Sequence, residues 1–165
     1  MRAARSLATV FGAGFLPKAP GTWGSLVALP AAWLLHGIGG PLLLALATLA
    51  VFLLGLWAVE QATEQVDEKD LPEIVIDEVV GQWIALLPLS IGLSWMGAAP
   101  WLFPWPGWLG AFVLFRFFDI VKPPPVGWAD RMNTAFGVMF DDVLAGLMAA
   151  AVLTLAAAVS HGWLV

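Results

Sequence analysis

The chain has no cysteine and no tyrosine, and only 12% of its 165 residues are charged. Without cysteine there can be no disulfide, thiolate nucleophile, cysteine-ligated zinc or iron–sulfur cluster. Seven Lys and Arg stand against twelve Asp and Glu, giving a net charge of −5, so the chain offers no basic surface to a nucleic-acid backbone. Only two histidines, His36 and His161, are present. Hydrocarbon takes the place of the missing polar residues. The chain is 61% hydrophobic with a mean hydropathy of +0.88, which a soluble globule does not tolerate. Ten tryptophans suit a bilayer protein, with indole rings at headgroup level. The length fits one domain, 1–165.

The apolar residues fall into five segments, 26–38, 42–59, 79–96, 106–118 and 137–159. Leu26 to Ile38 is short for a span, at ~20 Å of helix. Leu42 to Val59 approaches the roughly 30 Å of a hydrocarbon core. Gly37 to Pro41 turns between them, so the two predict a helical hairpin. Phe11 to Ser25 holds four Gly and two Pro and predicts a re-entrant loop. Pro88 predicts a kink in the third segment, and Ile120 to Thr134 is expected to be a loop around Lys122-Pro123-Pro124-Pro125, a run that cannot be helical. The expected fold is therefore all-α, a polytopic membrane protein of about four to five spanning or partly spanning helices behind a Gly/Pro-rich loop.

With the N-terminus in the cytoplasm, the cytoplasmic pieces are 1–25, 60–78 and 119–136. Every Lys, Arg, Asp and Glu falls in those pieces or in the helix turns beside them, as the positive-inside tendency expects for the cations. The far loops, 39–41 and 97–105, carry no charge. His36 and His161 are expected near that far face.

Three polar groups thus converge on one lip of the spans. The first is the Gly/Pro loop with Lys18, Thr22 and Ser25, a candidate anion cradle that lacks the Gly-Lys-Ser/Thr ending of a nucleotide loop. The second is acidic: Glu73, Asp77, Glu78, Asp119, Asp141 and Asp142. Asp77 follows Glu73 by four residues, so on a helix both project from one face. A lone acid here would read as a solvated cap favoured by the helix dipole. Three acidic sites on one face favour a hard cation instead. Oxygen ligands without Cys or His suit Mg²⁺, which takes one or two carboxylates plus a substrate phosphate. The third group is Arg116, Lys122 and Arg131. Arg116 can pair locally with Asp119, three residues on, or clamp a phosphate with Lys122 as a second charge.

Four stretches carry a resemblance: GAGFLPKAPGTWGS (12–25), IDEVVGQW (76–83), FRFFDIVKP (115–123) and GVMFDDVLAG (137–146). In this order, over nearly the whole chain, they resemble the phosphatidylglycerophosphatase A family. One departure is Ala135, where the family pattern has Gly. The resemblance implies a Mg²⁺-dependent phosphatase of the bacterial inner membrane, converting phosphatidylglycerophosphate to phosphatidylglycerol at the cytoplasmic face. It implies functional positions at Asp77, Glu78, Arg116, Asp119, Lys122, Asp141 and Asp142, with Thr22 and Ser25.

The residues themselves point to metal-assisted hydrolysis. There is no Cys nucleophile, no Asp-x-Asp pair, and both histidines are expected on the wrong face. Asp77, Glu78, Asp119, Asp141 and Asp142 are the expected metal ligands, and Asp141 or Asp142 the expected base. Arg116 and Lys122, with Lys18, Thr22 and Ser25, are expected to face the phosphate. The rival readings are a small cation or proton-coupled transporter, which requires ionisable groups near the membrane midplane, and a non-enzymatic assembly protein.

Overall fold

The computed structural model describes residues 2–160 and 162. The elements are α1 (Arg2–Ala8), a 3-10 turn (Ala13–Phe15), α2 (Pro20–Ala62), α3 (Ile76–Trp95), α4 (Trp105–Val121), α5 (Val126–Asp130) and α6 (Ala135–Ser160). No strand occurs among the described residues, in line with the all-α expectation. Three helices, α2, α3 and α6, are long and apolar enough to cross a membrane. Water is absent from hydrocarbon, so a spanning chain must satisfy its backbone internally, and a helix does so within one segment.

The long α2 is folded back on itself. Gly39 and Gly40 leave helical geometry, and Gly40 has φ 62° and ψ −157°, a backbone that glycine adopts without a Cβ clash. Contacts with α3 show the reversal. Trp83 Nε1 donates to the Ala28 carbonyl at 2.9 Å, and His36 Nδ1 lies 2.7 Å from Ser90 Oγ, so the first half runs parallel to α3. Gly40 then lies beside Ser94, while Gly55 is back at Ile76. The expected hairpin therefore forms, with its apex at Gly39–Gly40.

Its first arm starts at Pro20, six residues before the expected Leu26. Proline in the first helical turn loses no hydrogen bond. Gly24 lets that arm approach α3 closely, since a Cβ there would lie 2.8 Å from Val75 Cβ.

A second boundary overturns an expectation. α3 begins at Ile76, so Glu73 is not on it, and the one-face pairing of Glu73 with Asp77 does not form. Leu71 precedes a proline, which disfavours helix, and the Ile74 N–H closes a turn onto the Leu71 carbonyl at 2.9 Å. The Val75 N–H then donates to the Ala8 carbonyl at 2.9 Å, and Glu73 pairs with Arg5 at 3.5 Å.

Small residues set the helix spacing. Ala28, Ala32, Ala85, Ala111, Ala145 and Ala149 are buried around Trp83, Leu86 and Phe115. Gly81 of α3 meets Gly146 of α6 backbone to backbone. Such close approach maximises dispersion contact where lipid removes the hydrophobic drive between helices. Outward faces are apolar too, as with Leu46, Leu49 and Leu53 on α2, Val113 and Phe117 on α4, and Leu147 and Leu155 on α6. An apolar surface of that extent suits a lipid environment rather than water.

The bundle has two unlike ends. Trp95, Trp101 and Trp105 are exposed at one, where Trp33 Nε1 donates to the Trp101 carbonyl at 3.3 Å. Exposed indoles of this kind suit the headgroup level of a bilayer. His36 lies toward that end through its bond to Ser90, thirteen residues or ~20 Å of helix beyond Asp77. His161 lies outside the described residues. The other end carries the acids.

Candidate functional site

The first turn of α3, the last turn of α4 and the second turn of α6 meet at the charged end. Their crossing is fixed by Gly81, where a Cβ would run into the Phe115 ring and lie 2.7 Å from the Asp142 carbonyl. A cleft of about 160 Å³ opens there, lined by Asp77, Glu78, Asp119, Lys122, Asp141 and Asp142. Single oxygens of Glu78, Asp119 and Asp142 all lie within 4.8 Å of one another. Acids in sequence doublets divide their contacts similarly on both helices. Asp77 Oδ1 accepts the Glu78 N–H at 2.9 Å, and Asp141 Oδ1 accepts the Asp142 N–H at 2.9 Å.

Two cations balance part of this charge. Arg116 Nη1 pairs with Glu78 Oε2 and, at 2.8 Å, with Asp119 Oδ2. The local pairing with Asp119 is thus present, extended across to α3. Lys122 Nζ bridges Asp130 and Asp141, the latter at 3.2 Å. Burial disfavours its charge, but the bond to Asp130 and the Asp141 carboxylate outweigh that and raise its pKa. Asp70 also lines the cleft. Burial pushes its pKa up, against the opposing pull of Lys122.

The expected phosphate-facing loop is only partly at the cleft. Ser25 is fully buried, its Oγ 3.0 Å from the Gly21 carbonyl and 3.2 Å from Glu78 Oε2, so it reaches the site through that carboxylate. Gly21 lines the cleft, and a Cβ there would collide with Glu78 Oε1. Lys18 is exposed, Thr22 is half-buried, and neither lines the cleft; nor does Arg131, exposed at the end of α5. Three participants escaped the sequence reading. Asp70 and Asp130 looked like ordinary loop acids. Gln82 is fully buried with no hydrogen-bond partner among the described residues. Its spacing of four from Glu78 was the available signal.

An apolar helical bundle with carboxylates, a guanidinium and an ammonium gathered at one end of its spans defines a polytopic membrane enzyme with a polar centre at one lip. The sequence matches the phosphatidylglycerophosphatase A family over residues 6–157, and the chain belongs to that family of phosphatases. It is 39% identical over 148 residues to phosphatidylglycerophosphatase A of Haemophilus influenzae, covering 89% of this chain and 84% of that one. It is 34% identical over 159 residues to phosphatidylglycerophosphatase A of Escherichia coli, covering 95% and 83%. A relative in Bacteroides thetaiotaomicron, named provisionally as a phosphatidylinositol-3-phosphatase, is 38% identical over 146 residues, covering 86% and 85%. No solved structure matches the chain.

Proposed function

We propose that this chain removes the terminal phosphate of phosphatidylglycerophosphate, giving phosphatidylglycerol and inorganic phosphate, with Mg²⁺, at the cytoplasmic face of a bacterial inner membrane. The observation that carries this reading is the approach of Glu78, Asp119 and Asp142 to within 4.8 Å beside Arg116 and Lys122.

The donor set fits a hard cation. All three ligand atoms are carboxylate oxygens, and Asp142 Oδ1 is buried without a hydrogen-bond partner among the described residues. Six acids line the cleft, Asp70, Asp77, Glu78, Asp119, Asp141 and Asp142, against two cations, Lys122 in the lining and Arg116 bonded to Glu78 and Asp119, so a phosphate entering it would be repelled unless a further cation offset that charge. Glu78, Asp119 and Asp142 would hold the ion, with Asp77 and Asp141 beside them. Bound Mg²⁺ supplies charge neutralisation and Lewis acidity to a phosphoryl group.

The chain's own residues supply the rest. Asp142 accepts one proton of the attacking water as the water oxygen bonds to phosphorus; the bond to the glycerol oxygen breaks with its electron pair going to that oxygen, which takes up a proton from solvent to leave as the alcohol. Asp141, held by Lys122, keeps the doublet oriented. Arg116 and Lys122 present positive charge toward the phosphoryl oxygens as negative charge builds there. The cleft is smaller than the roughly 300–1,000 Å³ of pockets that enclose a whole drug-sized ligand. It therefore takes the phosphate end while the acyl chains stay in the bilayer. A transporter needs ionisable groups along the spans, whereas the acids of the cleft cluster at one end of this bundle.

The test is phosphate release from phosphatidylglycerophosphate in detergent, with Mg²⁺ and with EDTA. Turnover by the parent protein with Mg²⁺, and loss of it in folded Asp142→Asn and Asp77→Asn variants, is expected. A well-folded parent that releases no phosphate refutes the activity, and near-normal rates in both variants refute the assigned roles.

A further inference from the structure

Five buried side-chain atoms find no hydrogen-bond partner among the described residues: Gln82 Oε1 and Nε2, Arg116 Nε, Asp142 Oδ1 and Trp108 Nε1. Trp108 stacks on Phe103 toward the aromatic end. The other four belong to three side chains grouped about Glu78. Asp142 shares the carboxylate trio with it. Arg116 is bonded to it through Nη1. Gln82 follows it by four residues on α3 and leaves the same helix face one turn deeper.

These atoms are complementary. Arg116 Nε–H and Gln82 Nε2 are donors, while Gln82 Oε1 and Asp142 Oδ1 are acceptors. A buried carboxamide without partners is costly, and an apolar side chain of the same shape would avoid that cost. Trp83 Nε1 is committed to the Ala28 carbonyl, and the neighbouring Gly81 faces the Phe115 ring. A guanidinium pinned through Nη1 alone can still rotate about that contact. A second bond at Nε fixes its plane.

We infer that Gln82 is a positioning residue acting through Arg116. Its Oε1 accepts the Arg116 Nε–H, directly or across one buried water, when the site takes up an oxyanion, and so sets the plane in which the guanidinium meets the phosphoryl group. This rests on the phosphatase reading above.

The experiment compares the parent with Gln82→Met, Gln82→Asn, Arg116→Lys and the double variant Gln82→Met/Arg116→Lys, purified in detergent. Three quantities are read: Mg²⁺-dependent phosphate release, melting temperature, and the ¹H–¹⁵N resonance of Arg116 Nε with inorganic phosphate present, assigned by its loss in Arg116→Lys. Gln82→Met is expected to melt no lower than the parent. Its kcat should fall about tenfold with KM within about twofold, as for a misoriented catalytic group. The double variant should be no slower than Arg116→Lys alone, because both changes remove one interaction. The Nε–H should exchange faster with solvent in Gln82→Met, and Gln82→Asn, which keeps the amide, should recover part of the rate.

An Nε–H resonance unchanged by Gln82→Met, a kcat within about twofold of the parent, or additive losses in the double variant would each overturn the inference. If Gln82→Met does not fold, Gln82→Leu, which likewise removes the amide, is read against the same resonance and the same cycle, and an unchanged resonance there overturns it equally. A parent that releases no phosphate sinks the phosphatase reading instead, and the Nε–H resonance still decides the contact between Gln82 and Arg116.

Discussion

Gly146→Ala places one methyl group where α6 crosses α3. The new Cβ would overlap the Gly81 carbonyl oxygen and lie 3.1 Å from both Gly81 C and Gly81 Cα. Ordinary carbon–carbon contacts sit at about 3.5–4.0 Å, and these neighbours are backbone, so no rotamer change relieves them. The helices must separate by roughly 0.5–1 Å at the crossing, an overpacking that costs about 1–3 kcal/mol. Asp142 precedes Gly146 by four residues and Glu78 precedes Gly81 by three, so the crossing lies about one turn, ~5.4 Å, from the carboxylates. At that distance most of the shift reaches atoms that now lie within 4.8 Å of one another. A displacement of about 1 Å at a reacting centre can cost ~10²-fold in rate. Gly92→Ala is the control, because on the same α3 its Cβ meets nothing within 4 Å among the described residues. Alanine there should gain up to about 0.5–1 kcal/mol from helix preference. Thermal melting in detergent and phosphate release with Mg²⁺ read both effects. A Gly146→Ala variant matching the parent in melting temperature and turnover would refute the argument that this contact sets the geometry of the acids.

Three further outcomes follow from the same geometry. Mg²⁺ should raise the melting temperature with the logarithm of its concentration above Kd, by about 2.7 kcal/mol of stability at a hundredfold excess over Kd, and Asp142→Asn should abolish that rise; an equal rise in the variant would move the ion elsewhere. Lys122→Met leaves Asp130 and Asp141 without their shared cation, and turnover should fall on the order of 10²-fold, as when one transition-state donor is lost; a full rate would remove Lys122 from the mechanism. For Asp70, burial raises the folded-state pKa, so the native state holds its proton more tightly than the unfolded chain. Stability contributed by that proton is present at low pH and lost as pH rises above the ordinary carboxylate range. In EDTA, Asp70→Asn should therefore melt above the parent at pH 7 and level with it near pH 3, and equal melting at both would discard the shift.

The gathering of charge at one end was legible in the sequence because a bilayer leaves charged side chains few other places to be. The hairpin was legible for a similar reason, since Gly39 and Gly40 interrupt an apolar run at mid-length. What could not be read was anything decided by how the helices cross. Gly21 and Gly24 look like loop residues until Pro20 is seen to open a helix whose side must pass Glu78 and Val75 without a Cβ in the way. Glu73 was one turn from Asp77 on paper, but the turn at Leu71 and the strap to Ala8 removed it from the helix. Asp130 reaches Lys122 across a proline loop that obeys no helical spacing. Gln82 is the sharpest case. A glutamine one turn past a cluster of acids reads as ordinary lip polarity, and only its complete burial, with no hydrogen-bond partner among the described residues, sets it apart. Because an apolar side chain would fill that space at lower cost, the amide's presence points to a bond made only when the cleft is in use.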